Sequence, residues 1–595
     1  MKNFSKLLQC GWDYRKSIFA YFAANAVLAA VTAVAVLYIP RYLVNEIVTE
    51  QNTRNIIVAA ALFFVTVGIC GFIVSFMKSE YLVILKRLRS HLLRMALKKD
   101  LTRDYADLEN PEKMNDSHYV YRMLTDFRRG VEGMYTRFFG MTASVVTVML
   151  YIWVLFALNI LIGLFILVFT ILLYMYTLKH NRLIVEYDQQ QNEPHRKRQY
   201  LSFMTAQYEF GKEVRVFGIA DWLLDKYAVL SGILRGFNIK SEKSRYRISI
   251  ADILFAFVRS GMVYAYLFAA ILRGEMSIPD FTLYFAAVTL FSNEIKQIFD
   301  GIAFIAAEMK PIGAFFDFVA LADEHESGGE KVVPAKGGYT VEFRDVSFKY
   351  PSSDTYVLKN ISFTIAAGEK LALVGINGAG KTTLVKLLAR LFKPSEGKIL
   401  LNGVNINELD LKEYRRLFSV VFQEINLIAA SLAENVALDD AGLEERTIEN
   451  ALEKAGFGDK YRSFEKGTKT QLLKNLHPEG IELSGGEKQK IAIARALYRD
   501  GGILIMDEPT AALDAIAEYE LYNNFASLAK EKTMLFISHR LVSTRFCDNI
   551  LLLSDGGVGE YGSHEELMAR QGLYFAMFNT QMQYYKEEGV CHARD

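Results

Sequence analysis

A chain of 595 residues exceeds what one hydrophobic core organises, so at least two domains are expected. Its 68 basic and 67 acidic residues leave a formal net charge of +1, which gives no electrostatic footprint for nucleic acid. A mean hydropathy of +0.14, with 51% apolar and 13% aromatic residues, is high for a water-soluble protein and points to a bilayer.

The first residues, MKNFSKLLQCGWDYRK, lack an apolar core with a small-residue cleavage site, so no cleaved signal is expected. The four cysteines, Cys10, Cys70, Cys547 and Cys591, are scattered and fit neither a disulfide framework nor a metal site. Four stretches without a single Asp, Glu, Lys or Arg follow: 18–39, 56–77, 138–158 and 160–178. Each is long enough to cross about 30 Å of hydrocarbon as a helix. The last two meet at Asn159, which suits a tight turn between antiparallel spans. A fifth span, 253–272, carries one charge, Arg259, and a sixth, 281–307, is interrupted by NEIKQIFD.

Basic residues cluster before span one and after spans two and four, so six spans with both termini in the cytoplasm satisfy the charge bias. The intervals after spans two and four keep a helical composition. Long helices there would project tens of ångströms into the cytoplasm, each pair turning at DLENPEKMND (107–116) or EFGKEVRVFGIADW (209–222). Charges at membrane depth are costly and face protein or a watery cavity. Arg259, Glu294 and Asp300 are therefore expected to line a substrate pathway, with Lys296 able to pair with Asp300 along one helix face.

The polar stretch through 326–340 marks a linker, after which the texture becomes α/β. In KLALVGINGAGKTTLVKLL (370–388) a strand runs into Gly375-x4-Gly380-Lys381-Thr382 and then a helix. Such a loop wraps phosphates with backbone N–H groups: Gly375, Asn377, Gly378, Ala379, Gly380 and Thr383 form the cradle. Lys381 reaches the terminal phosphates and Thr382 holds Mg²⁺. A second anion feature, Ser484-Gly485-Gly486, opens a helix about a hundred residues downstream. Further on, GGILIMDEP ends a buried strand with Asp507, placed to hold Mg²⁺, and Glu508, placed to orient or deprotonate the attacking water. TMLFISHR delivers His539 to the same sheet edge.

Gly375–Thr382, LSGGE at 483–487, Asp507–Glu508 and His539 together resemble the ATP-binding cassette family over about 341–574. The preceding six spans resemble exporter-type half-transporters. The resemblance implies an all-α membrane domain at 1–325 and an α/β phosphate-loop ATPase domain with a helical subdomain at 341–575, followed by a tail at 576–595. It implies that Tyr350 stacks on adenine, Gln423 contacts Mg²⁺ and the attacking water, His539 holds the γ-phosphate, and Asp514 lies in a loop crossing to a partner subunit. The breaks at 107–116 and 209–222 resemble coupling regions that dock on the ATPases.

Three departures stand out. Glu487 replaces the common Gln, AALD replaces the usual Ser at the crossing loop, and KNLHPEGIE (474–482), with Glu479, is not the usual acidic run. The resemblance further implies that Ser484 and Gly486 bind the γ-phosphate of ATP held by another subunit. Intact Glu508, His539 and Ser-Gly-Gly favour a homodimer, with a heterodimer open. The expected function is export of a hydrophobic or amphipathic molecule or peptide, driven by ATP and Mg²⁺ in the cell membrane. A lipid flippase or a siderophore importer of exporter shape are alternatives, and an ATP-regulated channel or receptor is a more distant one.

Overall fold

The computed structural model describes residues 2–591, apart from 111–112, 114–116, 118–119, 122, 127–129, 208–209, 324–337, 352, 440–443, 510–517 and 519–531. The chain divides into two compact units. One holds 1–100 and 115–320, the other 101–114 and 321–595.

The first unit is helical. After α1 (Lys2–Tyr14) come α2 (Ser17–Asn45) and the 50-residue α3 (Thr53–Thr102). A short helix, α4 (Tyr105–Leu108), belongs to the second unit. Next are α5 (Gly130–Leu158), α6 (Ile160–Gln190), α7 (Asn192–Ala206), the short α8 (Gly211–Val216), the 53-residue α9 (Ala220–Leu272) and α10 (Ile278–Val319). Each expected span falls inside one unbroken helix, and α3 and α9 continue for many turns past their apolar runs.

Five helices meet the length and apolarity needed to cross a membrane, beginning at Ser17, Thr53, Gly130, Ile160 and Ala220. The sixth, α10, is as long but keeps its charges mid-helix. Asn159 makes the tight turn: its side chain accepts from Leu161 N at 2.8 Å, capping α6 as α5 ends. Ser277 caps α10, Pro279 sits in its first turn, and Asp280 there pairs with Arg41 near the end of α2 at 2.6 Å. Between these helices Leu37, Val154, Leu155, Val263, Leu267, Ala287 and Phe291 form a dry seam. On the outside, Phe64, Phe72 and Phe257 are 73%, 72% and 76% exposed, a surface suited to lipid and not to water.

The second unit has two sheets. Strands β1 (Val341–Phe348), β2 (Leu358–Ile365), β4 (Glu396–Leu401) and β5 (Val404–Asn405) form an antiparallel sheet in the order β2-β1-β4-β5. The other sheet has the order β10-β9-β3-β8-β7-β6. Its strands are β3 (Lys370–Gly375), β6 (Phe418–Val421), β7 (Ile503–Asp507), β8 (Thr533–Ile537), β9 (Asn549–Ser554) and β10 (Gly557–Gly562). All but β10 run parallel to their neighbours.

The continuous apolar runs of β3, β7 and β8 reflect burial on both faces. With period two, Leu371, Leu373, Ile505, Leu535 and Ile537 enter one core while Ala372, Val374, Leu504, Met506 and Phe536 enter the other. Burying each large side chain contributes about 1.5–3 kcal/mol, so this sheet is the rigid frame of the unit. Residues expected to form a tail after 576 instead continue a helix from Leu573 to Cys591.

Candidate nucleotide site

Parallel register brings the site together. Leu373 of β3 lies opposite Ile537 of β8, Ile537 opposite Asp507 of β7, and Met506 opposite Val421 of β6. The loops leaving these strands therefore emerge side by side at the carboxyl edge: Gly375–Gly380, Ser538–His539, Glu508 and Gln423. Ligands of open α/β sheets bind at such an edge.

Gly375 has φ +151, and a Cβ there would come 2.5 Å from the Leu553 carbonyl, so only glycine fits. Gly378 has φ +83 with open space where a Cβ would stand, leaving room for a ligand to approach the backbone. Lys381, the first residue of α11 (Lys381–Leu388), is buried and donates to the carbonyls of Gly375 at 2.9 Å and Ile376 at 3.0 Å. Burial pulls its ammonium below the usual lysine range, against the pull of Glu508 and Asp507.

Asp507 is 1% exposed, and neither carboxylate oxygen has a well-formed hydrogen bond among the described residues. Burial first, then the Glu508 carboxylate, pushes its pKa up to about 6; Thr382 and Lys381 pull it back in part. A buried, unsatisfied carboxylate beside an exposed threonine hydroxyl is a poor structural element and a good cation ligand. The residues present thus fit Mg²⁺ held by Asp507 and Thr382. Gln423 is exposed two residues beyond the end of β6.

Glu508 adopts φ +52, a left-handed backbone that a side chain rarely takes without support. Support comes from both sides: its N–H donates to Ile537 O at 3.0 Å, and Gln489 Nε2 donates to its carbonyl at 3.0 Å. Its carboxylate meets His539 Nε2 at 2.7 Å. The backbone next to His539 is also clamped, since Gln581 Nε2 donates to His539 O at 2.6 Å and its amide oxygen accepts from Leu541 N at 2.8 Å. Sequence reasoning missed both glutamines. Gln489 lies one turn after Gly485–Gly486, which was a usable signal; Gln581 lay in the supposed tail and had none.

Ser484 caps α12 (Gly485–Arg499), accepting from Glu487 N while Glu487 Oε2 accepts from Ser484 N at 2.8 Å. Glu487 also pairs with Lys460 at 2.9 Å. Burial would raise its pKa, but Lys460 and the Ser484 N–H outweigh it and hold the carboxyl below its usual range. The Glu-for-Gln departure therefore supports the cap. Ser484 and Gly485 are exposed.

Tyr350 is half-buried, edge-on to Phe348 and Phe392, and its hydroxyl bonds Thr383 Oγ1 at 2.9 Å. A groove of about 530 Å³ beside Gln423 is lined by Phe422, Glu424, Arg415, Arg495 and Tyr498 among others. Asp514 lies outside the described residues.

Residues 358–511 match the family model described as ABC transporter. The subtilin transport ATP-binding protein SpaT of Bacillus subtilis is 29% identical over 602 residues, covering 99% of this chain and 96% of that protein.

Residues 358–511 thus form an ABC transporter domain, and the chain is homologous to ABC exporters.

Within that family, the ATP-dependent lipid A-core flippase of Paraburkholderia xenovorans is 35% identical over 381 residues, and the chain spans 62% of its length. The fold matches a solved bacterial Atm1-family ABC exporter with ATP bound, with TM-score 0.80, 23% identity, and coverage of 95% and 98% of the two chains. This ABC transporter is thus an exporter-type half-transporter, with one helical membrane domain and one ATPase domain in a single chain, and it couples ATP hydrolysis to transport.

The charges of the membrane unit separate into distinct environments. Arg259 is 3% exposed and held by Ser292 Oγ at 2.6 Å, Thr170 Oγ1 at 3.4 Å and the Phe291 ring, stitching α6, α9 and α10 together. Lys296 pairs across to Asp252 of α9 at 2.7 Å, not along its own helix with Asp300, because the neighbouring helix offers a closer carboxylate. Asp300 sits one turn further along at an exposed position. Glu294 lines a cavity of about 270 Å³ with Asn25, Lys78, Thr147 and Gln297, and its carboxylate has no ion-pair partner among the described residues.

Glu508→Gln should retain ATP binding and lower steady-state hydrolysis by roughly 10²–10⁴-fold, the usual contribution of a positioned base; hydrolysis at the parent rate would remove Glu508 from that role. Asp507→Asn should abolish the extra thermal protection that Mg²⁺ gives over ATP with chelator, measured as a difference in Tm.

Proposed function

We propose that two copies of this chain close on two ATP molecules, each held between the Gly375–Thr382 loop of one copy and the Ser484–Gly486 helix start of the other. The observation that carries this is the second anion site. Ser484 and Gly485 stand exposed at the head of a 15-residue helix, a place that favours negative charge. ATP wanted by both faces of a two-fold dimer acts as glue, and only its differential affinity for the closed and open states can drive movement. Intact Glu508, His539 and Ser484–Gly486 support identical subunits.

In this reading Tyr350 stacks on adenine, and Asp507, Thr382 and Gln423 hold Mg²⁺. The metal, when bound, neutralises charge on the phosphates. Glu508 orients and deprotonates the attacking water, with its left-handed backbone fixed by Gln489, while His539 holds the γ-phosphate and the Glu508 side chain. Both termini lie in the cytoplasm of a bacterial cell membrane.

The proposed cargo is an amphipathic peptide bearing positive charge. The relative matched over nearly its whole length is named for subtilin transport. The unpaired Glu294 carboxylate in a polar cavity supports a cationic group on the cargo. Lipid export is the second reading, favoured by the 35% identity to lipid A-core flippases.

Mixing tests the composite site. Lys381→Met and Ser484→Arg chains should each be inactive alone. A heterodimer of the two, purified through separate tags, should regain about half the parent rate, because one of its two symmetric sites is intact. No recovery would place both features on one chain's nucleotide. Glu294→Gln should reduce stimulation of the ATPase by cationic amphipathic peptides about tenfold, with little change in the basal rate, given a lost charge contact of about 1.4 kcal/mol. An unchanged stimulation curve would remove Glu294 from cargo recognition.

A further inference from the structure

Lys386 belongs to none of the motifs that define the site, yet it has more specific contacts than most residues that do. It lies on α11, one turn beyond Thr382 and Thr383. Its ammonium sits 5.7 Å from the centre of the Tyr350 ring, 5.7 Å from that of Tyr105 and 5.6 Å from that of Phe392. It also pairs with Glu109 Oε1 at 2.7 Å. Phe392 stands edge-on to both tyrosines, with centroids 5.5 Å from Tyr105 and 5.4 Å from Tyr350. Tyr105 and Ala106 pack on the same apolar core that underlies the phosphate loop.

Two of these partners, Tyr105 and Glu109, come from the 101–114 segment, the tip of the excursion after span two. The other two, Tyr350 and Phe392, come from the adenine side of the ATPase unit. One cation therefore has contacts on both.

An ammonium over aromatic faces, with one of its three donors committed to a carboxylate, is sensitive to ring orientation as well as charge. Side-chain exposure of 23% for Lys386 and 35% for Glu109 makes the pair firmer than a free surface ion pair. Burial would depress the Lys386 ammonium, but the Glu109 contact and the neighbouring tyrosines outweigh it and raise its pKa, which agrees with that geometry. When a base stacks on Tyr350, the ring is drawn between adenine and this cluster, and the Tyr350–Thr383 and Tyr350–Lys386 contacts must adjust together.

We propose that Lys386 is a positioning residue that ties Tyr350 to the first coupling segment, so that ATP binding at a chain's own phosphate loop is felt at Tyr105 and Glu109 without passing through the dimer seam. The proposal rests on the adenine-stacking reading of Tyr350. Coupling of this kind is reciprocal: if ATP changes the hold of Lys386 on Glu109, weakening that hold must change ATP affinity by the same factor. Glu109 is a residue that nothing else in the site would lead one to test.

Equilibrium binding of a fluorescent ATP analogue to full-length dimers in lipid, in a Glu508→Gln background that prevents turnover, measures this. Glu109→Gln and Lys386→Met should each weaken binding about fivefold, the size expected for one cation–π or partly buried ionic contact. The double variant should be no weaker than the worse single variant. Lys386→Arg, which keeps the charge and stacks on rings, should stay within about twofold of the parent. Unchanged affinity in Glu109→Gln, or additive losses in the double variant, would overturn the proposal. Glu109 is exposed, so its variant is measurable even if Lys386→Met fails to fold. Tyr350→Ala separates the two readings. If it leaves ATP affinity intact, the adenine assignment fails. If it weakens binding while Glu109→Gln does not, only the link through Lys386 fails.

Discussion

One unsatisfied carboxylate constrains the whole ATPase unit. Asp507 ends a strand buried on both faces, and its two buried oxygens have no well-formed hydrogen bond among the described residues. Such a group costs stability unless a cation or donor meets it. Every other part of the site is arranged around that point: the phosphate loop two strands away across the sheet, the Glu508 backbone turned into a left-handed conformation just beyond it, and the His539 ring meeting Glu508 from the intervening strand. The parallel register makes this arrangement insensitive to side-chain flexibility, because it fixes where four backbones leave the sheet.

From that fixed edge the structure builds outward through contacts that each hold one element of the candidate site. Gln489 holds the Glu508 carbonyl and stands on the same helix that Ser484 caps. A shift of that helix start is therefore a shift at Glu508. Gln581 restrains the backbone at His539 from the C-terminal helix. On the far side of the phosphate loop, Lys386 reaches the 101–114 segment. The helix after Ser484, the C-terminal helix and the 101–114 segment thus each have a polar contact leading to the carboxyl edge of the sheet.

Much of this was legible in the residues. Charge-free runs of about twenty residues, the strand–loop–helix setting of Gly375–Thr382 and the acids after ILIM are local patterns with few competing structures, and each appears where its pattern placed it. Asn159 as a turn was equally local. What the chain order hid was pairing between distant segments. Lys296 has a carboxylate one turn along its own helix, yet Asp252 on the preceding helix takes it. Arg259 was visible only as a charge; the hydroxyls of Thr170 and Ser292 that bond it lie 89 and 33 residues away. Lys386 and Glu109 are separated by 277 residues, and no periodicity connects them. The contact of Gln581 was hidden for the same reason, since it depends on a loop forty residues earlier.

The central claim is that one nucleotide needs two chains. Lipid nanodiscs assembled to hold one copy or two copies test it without altering a residue, by comparing ATP turnover per chain. Discs with two copies should hydrolyse ATP and discs with one copy should be nearly silent, although both bind it. Equal turnover per chain in the two preparations would contradict the account.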